Sequence, residues 1–510
     1  MRFIYPKDTW RLLYPVRVLL AGLLVSELLA TVVVWYSNHA LHRKLMAIQA
    51  AGYSPLPGTG IDPSLQSLEA AWSGAVFFTL SIGAGITLLT FGVILLTQSV
   101  PSVARRWVTW LFVVIWGGVL VWVNIGGICP GLSAMLLLIP PVVMLTAVHG
   151  APQRFGGSPL PWRRAIHTGL IGLLLLLWLP RINGDVFVNI KDNLLLTSRP
   201  GIKAVDLYYR YTLYPAEVFK SLAQKQIRAH AVTGADAASI QSRINQALAG
   251  VNSFPVSDWR YADMVIQTMD DKLLALKDGG AMVQKVSQSQ LLTDPWQMVR
   301  QFSTHTDNKA NFRKATIVSL LGVAPLVLYL ATFALFCVVP GLFFPIRVSS
   351  VLVPVLCCSF WSAAIVYLDT PMTADLNRET VAKAMASGPR KEKIAALRYI
   401  HHNGLEIADF AGYRMILKTD DFAQRYWMVK CLGKSRHPLA MQWIIRAMKS
   451  DSPYIVCKAI EAGAGQATAE NGSSFTRAVT RKLASSGNWY VQYYAFKVAR
   501  ERGWIPRASE

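Results

Sequence analysis

Apolar residues gather into seven long runs in this chain, separated by short loops and by two stretches of mixed polarity. The runs are Pro15 to Tyr36, Gly74 to Gln98, Trp107 to Gly127, Gly131 to Val148, Ala165 to Leu179, Thr316 to Val339 and Val348 to Leu368. Each lies close to the roughly 20 apolar residues that carry a helix across a bilayer. The fourth run is interrupted by Pro140 and Pro141, and the fifth is the shortest. Prolines remove helical hydrogen bonds, so the fourth is expected to be a broken helix of the kind that lines a site.

The polar segments between runs set the orientation, because Lys and Arg in short loops stay on the cytoplasmic side. Arg2, Lys7, Arg11 and Arg17 precede the first run. Arg105 and Arg106, then Arg154, Arg163 and Arg164, and finally Arg347 fall on that same side if all seven runs cross. His39, Arg43 and Lys44 form the exception, across the membrane beside the first run. The first run is long for a signal peptide and no Ala-x-Ala site follows it, so it reads as a retained helix. The N-terminus is then cytoplasmic and the C-terminus extracytoplasmic, and the short basic loops suit a bacterial inner membrane.

Between the fifth and sixth runs, from Arg181 to Lys314, polarity becomes mixed and turn residues appear. Val186-Phe187-Val188-Asn189-Ile190 alternates like a strand. Asp236 is placed to cap a helix through Ala247, and Val265 to Lys277 reads as a hairpin turning near Asp270-Asp271. Gly279-Gly280 reads as a further turn. A small α+β extramembrane domain fits these signals.

From Asp369 to Glu510 a turn followed by an amphipathic helix recurs. The stretches beginning at Gly388-Pro389-Arg390, Asp420-Asp421-Phe422, Asp451-Ser452-Pro453 and Gly487-Asn488-Trp489 stand about 30 to 37 residues apart, a period that suits stacked helical hairpins. On those turns, and on the small apolar positions Val456, Ala459, Val491 and Ala495, the tail resembles HEAT-like repeats. The resemblance implies a binding scaffold and covers the last quarter of the chain, although the frequent Val-Arg pair at the repeat start is missing. The expected organisation is a five-helix membrane region (1–180), an α+β domain (181–314), a two-helix membrane region (315–368) and a C-terminal α-solenoid (369–510).

Composition agrees with this division. Hydrophobic residues make up 53% of the chain and charged residues 16%, too apolar for an average soluble protein. The net charge of +22 combines the loop retention signal with a spread over both soluble regions. Anionic lipid headgroups are therefore the expected acidic neighbours, rather than nucleic acid.

Candidate chemistry is sparse. Glu27 stands inside the first run, where an ionisable side chain is costly unless it faces a partner, water or the bundle interior. It leads the intramembrane candidates, with His167 as a conceivable partner, against the plainer reading of a protonated packing residue. Gly83, Gly85, Gly117 and Gly118 read as helix-packing positions. Tyr208, Tyr209, Tyr211 and Tyr214 near a membrane exit either grip headgroups or a partner, or edge a core. Trp489, Tyr490, Tyr493 and Tyr494 either form an exposed binding patch or close the last repeat. His39 and His42 read as interfacial polar residues, and His401 and His402 point to different helix faces. Among the six cysteines, Cys431 and Cys457 read as buried thiols. No zinc, haem, phosphate-loop or serine-nucleophile signature occurs, so neither metal nor cofactor is expected and the enzyme class is disfavoured. The leading expectation is a membrane-anchored scaffold or assembly subunit that docks a protein partner. A transporter component using Glu27 and a non-catalytic subunit of a membrane redox or envelope complex are the alternatives.

Overall fold

The computed structural model describes residues 14–53, 66–150, 161–182, 186–209, 217, 219–234, 238–269, 272–343, 346–368, 376–467 and 472–504. Helix α1, Tyr14–Ala50, runs well past the expected end at Tyr36. Its buried stripe passes through Val18, Gly22, Ser26, Ala30, Val34, Asn38, Leu41, Leu45 and Ile48 at helical spacing, while Leu20, Leu24, Leu28 and Val32 are exposed. An outward apolar face of this kind is what lipid tails solvate without cost. Helix α2, Leu68–Phe78, passes through a π-turn at Thr79–Gly83 into α3, Ala84–Ser99. Then follow α4 (Ser102–Asn124), α5 (Pro130–Gly150) and α6 (Pro161–Trp178).

The expected break in the fourth run does not occur: α5 continues through Pro140 and Pro141. Its buried face, Leu132, Met135, Leu136, Ile139, Val143 and Ala147, shares a core with α1 through α3. That packing holds the helix together across the missing N–H groups. The strand-like Val186 to Ile190 is also helical, within α7 (Val186–Asn193). An alternating run of five residues is too short to choose its own period, and here Val186 and Ile190, one helical turn apart, face the same apolar cluster.

Helix α8, Arg199–Leu207, follows, and then strand β1 (Arg228–Thr233), α9 (Ala238–Ala249), β2 (Ser253–Pro255), β3 (Met264–Thr268), β4 (Leu273–Asp278) and β5 (Ala281–Ser287). The sheet order is β2-β1-β3-β4-β5. The first three strands are parallel, and β3, β4 and β5 are antiparallel neighbours. Val265 pairs with Lys277 across the β3–β4 hairpin. Its expected turn residues Asp270 and Asp271, like Asp236, lie outside the described residues. Gly279, at φ +59°, makes the β4–β5 turn with Gly280, a backbone conformation glycine adopts at no steric cost. Helices α10 (Gln288–Thr293) and α11 (Pro295–Thr306) join α9 over one face of the sheet. The other face, through Ala229, Ala231 and Phe254, covers Leu41, Leu45 and Ile48 at the far end of α1.

Helices α12, Ala310–Phe343, and α13, Ile346–Leu368, return the chain to the apolar bundle and pack with α6. Among the described residues, four helices are long and apolar enough to cross a membrane, or up to six when two bent pairs count as spans. The seven expected runs are thereby reduced: α13 offers only the shorter apolar stretch Val351–Val366. One bend of 47° lies between Gly322 and Pro325 of α12, where a proline disrupts the helical ladder. The other, of 105°, separates α6 from α7.

The C-terminal helices are α14 (Arg378–Ser387), α15 (Arg390–Asn403), α16 (Tyr413–Leu417), α17 (Phe422–Leu432), α18 (Ala440–Ala447), α19 (Pro453–Gln466), α20 (Gly472–Ser485) and α21 (Trp489–Glu501). The four recurring stretches begin α15, α17, α19 and α21, and these helices pack in that series. Polar contacts join neighbours in this series. Arg390 Nε donates to Asp421 Oδ2 at 2.6 Å, Cys431 Sγ to the Leu397 carbonyl at 3.2 Å, and Gln466 Nε2 to the Leu432 carbonyl at 2.5 Å. Cys431 and Cys457 are buried free thiols, and burial pushes the Cys431 thiol up to about 12. Leu196 and Val205, from the segment expected to belong to the α+β domain, lie in this same C-terminal core.

Candidate functional site

The protruding end of α1 enters the α+β sheet as a strut, and charge holds it there. Lys44 Nζ and Lys225 Nζ both donate to Asp263 Oδ1 at 2.8 Å, and Asp263 Oδ2 accepts the Ala229 N–H at 2.9 Å. Burial opposes the Asp263 carboxylate, but Lys225 and Lys44 hold its pKa below the ordinary range. Burial likewise opposes the Lys225 ammonium, while Asp263 and Glu217 hold its pKa above the usual value. Lys44 goes the other way, lowered because desolvation by burial outweighs Asp263. Lys44, one of the three basic residues that broke the loop-charge pattern, is thus an interior ion-pair member.

The tyrosines come together as a packed seam. Tyr209 meets Tyr454 with ring centroids at 4.7 Å and Tyr490 at 5.8 Å, and Tyr208 meets Tyr209 at 5.4 Å. Tyr493 packs beside the α1 strut and Tyr494 on Tyr490. Tyr211 and Tyr214 lie outside the described residues, as does the side chain of Trp489. Tyr209, Tyr426, Tyr454 and Tyr490 enclose, with Lys191 and Lys458, a cavity of about 30 Å³. That is room for about two water molecules, so these rings close an interior. Beneath them the wholly buried Asp192 accepts from Trp427 Nε1 at 2.7 Å. Burial raises the Asp192 carboxyl pKa against the opposing charge of Lys191. Lys191, Asp192, Trp427 and Tyr454 were invisible as a group in the sequence because more than two hundred residues separate the two halves.

A larger depression lies on the C-terminal helices. Asp420, Phe422, Arg425, Arg446, Lys449 and Asp451 line a groove of about 350 Å³ at the turns leading into α17 and α19. Residues 376–504 carry 21 Lys and Arg against 10 Asp and Glu, so the groove lies on a strongly basic unit.

Inside the bundle, Glu27 faces α2 and is 7% exposed. The helix that carries His167 packs instead against α12 and α13, and the His167 side chain lies outside the described residues. The α1–α2–α3 crossing is close: a Cβ on Gly83 would stand 1.8 Å from Ser26 Oγ, and one on Gly22 2.3 Å from Thr87 Oγ1. Gly22 and Ser26 therefore face Gly83 and Thr87, a small-residue crossing of the kind that brings helix backbones together. Among the described residues a Cβ on Gly117 or Gly118 would meet nothing within 4 Å, so of Gly83, Gly117 and Gly118 it is Gly83 that lies in a close helix contact. The Glu27 carboxyl lies beside the Thr79 hydroxyl at the start of the π-turn. Yet Glu27 Oε1, Ser26 Oγ, Thr31 Oγ1 and Thr79 Oγ1 are all buried with no hydrogen-bond partner.

His39 Nδ1 contacts the Trp35 carbonyl at 3.0 Å, His42 meets Gln66, and His401 Nδ1 contacts the Lys430 carbonyl at 3.1 Å. Among the described residues no group of three His, Cys, Asp or Glu side chains is placed to hold a metal. No protein-family model matches the chain, and neither a curated protein nor a solved structure does.

Proposed function

We propose that this protein is a membrane-anchored scaffold whose C-terminal helices, read as a short HEAT-like solenoid, dock an acidic segment of a partner protein. The groove carries the reading: three cations, Arg425, Arg446 and Lys449, stand beside Phe422 against two acids, at turns between stacked helices. A rim of basic side chains around an apolar contact favours an acidic partner and speeds its encounter.

In this reading α1 spans the membrane and delivers the head, which comprises its own far end, the sheet and the C-terminal helices, to the extracytoplasmic side. Support comes from what lies at each end of the bundle. Tyr14 Oη donates to the Ala147 carbonyl at 2.9 Å at the N-terminal end of α1, the end at which α4 begins, with Arg105 and Arg106 near its start. At the opposite end Asn311 Nδ2 donates to the Trp122 carbonyl at 2.7 Å, where α12 leaves the sheet unit. Basic residues at one end and a folded head at the other match the rule that basic flanks of membrane helices stay cytoplasmic.

The test uses the full chain, tagged and purified from its native membrane in mild detergent. One partner is expected to copurify at low salt, to dissociate as salt rises, and to be lost in Arg425→Glu/Arg446→Glu/Lys449→Glu while the variant keeps its thermal transition. A partner retained by that triple variant, or no copurifying protein at all, overturns the docking reading.

A further inference from the structure

The hydroxyls of a membrane helix have a habitual partner, the carbonyl one turn back. In this bundle Ser81 donates to Phe77 O at 2.6 Å, Thr87 to Gly83 O at 2.8 Å, Thr90 to Ile86 O at 2.8 Å and Thr316 to Phe312 O at 2.9 Å. Ser26, Thr31 and Thr79 depart from that habit. Their buried oxygens make no hydrogen bond to a carbonyl one turn back, Oε1 of Glu27 is likewise buried without a hydrogen bond, and the Thr79 hydroxyl lies beside the Glu27 carboxyl. These residues belong to adjoining turns of the α1–α2 contact. Thr31 stands one turn along α1 from Glu27, Thr79 opens the π-turn opposite, and Ser26 is pressed onto Gly83 at the end of that turn. Ser26, Glu27, Thr31 and Thr79 are 0%, 7%, 7% and 5% exposed.

We infer that Glu27, Thr31, Thr79 and Ser26 form a binding site for a monovalent cation, with sodium as the ion it would take. The donor set is all oxygen, which suits a hard cation and disfavours metals that prefer nitrogen or sulfur. A single carboxylate supplies one negative charge, so one monovalent ion neutralises the site, whereas a divalent ion would leave a net charge buried in low dielectric. The π-turn widens α2 where it faces the carboxylate and takes backbone out of the regular ladder. Such turns concentrate at functional sites. Glu27 also lies near the middle of the apolar run from Pro15 to Tyr36, the depth at which ion sites of membrane proteins sit between interrupted helices. The site stands on the α1–α2 contact alone and is independent of the docking groove.

The experiment follows thermal unfolding of the full-length protein in detergent micelles at pH 8, by tryptophan fluorescence, in NaCl against choline chloride at equal ionic strength. A ligand that binds only the folded state raises the transition in a saturable way, and a rise of about 2 to 5 °C is expected for sodium. Glu27→Gln abolishes the sodium-dependent rise. Thr79→Val, which keeps the carboxylate and the fold, moves its half-saturation to at least about tenfold higher sodium, the loss of one good ligand contact. Arg425→Glu/Arg446→Glu/Lys449→Glu leaves the rise intact. Superimposable transitions in sodium and choline for the wild type would overturn the inference. So would stabilisation by acid alone, which would make Glu27 a proton site, and so would an unchanged sodium response in Thr79→Val.

Discussion

Asp263→Asn is the sharpest test of how the head is joined to the bundle. The substitution keeps the shape of the side chain but removes the anion that two ammonium groups share. Lys44 and Lys225 each lose a 2.8 Å charge-assisted bond, and Lys225 is left with Glu217 at 3.9 Å. The side chains of Lys44, Lys225 and Asp263 are only 12%, 19% and 10% exposed, so water replaces little of what is lost. Breaking a buried pair by removing one partner costs about 3 to 5 kcal/mol. The residual exposure argues for the lower end, about 3 kcal/mol, or roughly 6 to 12 °C in the head's thermal transition. Hydrogen exchange of the β1 and β3 amides, read beside scanning fluorimetry, locates the loss in the sheet. In Asp263→Asn/Lys44→Met, deleting one of the two stranded cations recovers part of the stability, so the double variant is more stable than Asp263→Asn alone. The pair Arg260–Asp258, whose side chains are 72% and 31% exposed, serves as the control, and Asp258→Asn leaves the transition in place. An Asp263→Asn protein that unfolds within about 2 °C of wild type would refute the argument that this ion pair fixes the strut.

Two further outcomes follow from buried groups. His230 is fully buried between Ser253 and Asn245, and burial lowers its pKa to about 4. Its neutral form is therefore favoured by folding: the contribution is complete above the ordinary histidine pKa and is lost as pH falls through the folded value. Stability of the sheet unit should decline between about pH 6.5 and pH 4 by up to about 3 kcal/mol, and a denaturation midpoint flat across that window would contradict the assignment. In the bundle, Gly83→Ala drives a Cβ into Ser26 and should cost about 1 to 3 kcal/mol. Ser26→Gly added to it should restore most of that loss, as thermal unfolding in detergent would show; no rescue would mean that the two helices do not meet there.

The recurrence at Gly388, Asp420, Asp451 and Gly487 was legible in the sequence because turn residues precede each helix, and two of the four turns also cap it with a side chain. Asp421 accepts from the Gln424 N–H at 2.8 Å and Asn488 from the Tyr490 N–H at 3.0 Å, local bonds that residue type and spacing announce. The β3–β4 hairpin and the Gly279-Gly280 turn were legible for the same reason. Glu27 stood out through the cost of its position. Its partners did not, since Thr31 and Thr79 look like any hydroxyl in an apolar helix until the carbonyl each ignores is seen.

Local chemistry, then, settled the apolar helices, the turns, the mixed soluble segments and the candidate status of Glu27, because hydrophobic length, capping residues and charge cost are properties of a short stretch of chain. Only the tertiary structure decided that α1 continues as a strut into the sheet, that Val186 to Ile190 is helical, and that Tyr209 and Tyr490, far apart in the sequence, close one seam. Those outcomes depend on which surfaces meet. A short apolar run takes its period, and a lysine or tyrosine its partner, from residues that the fold brings from far along the chain.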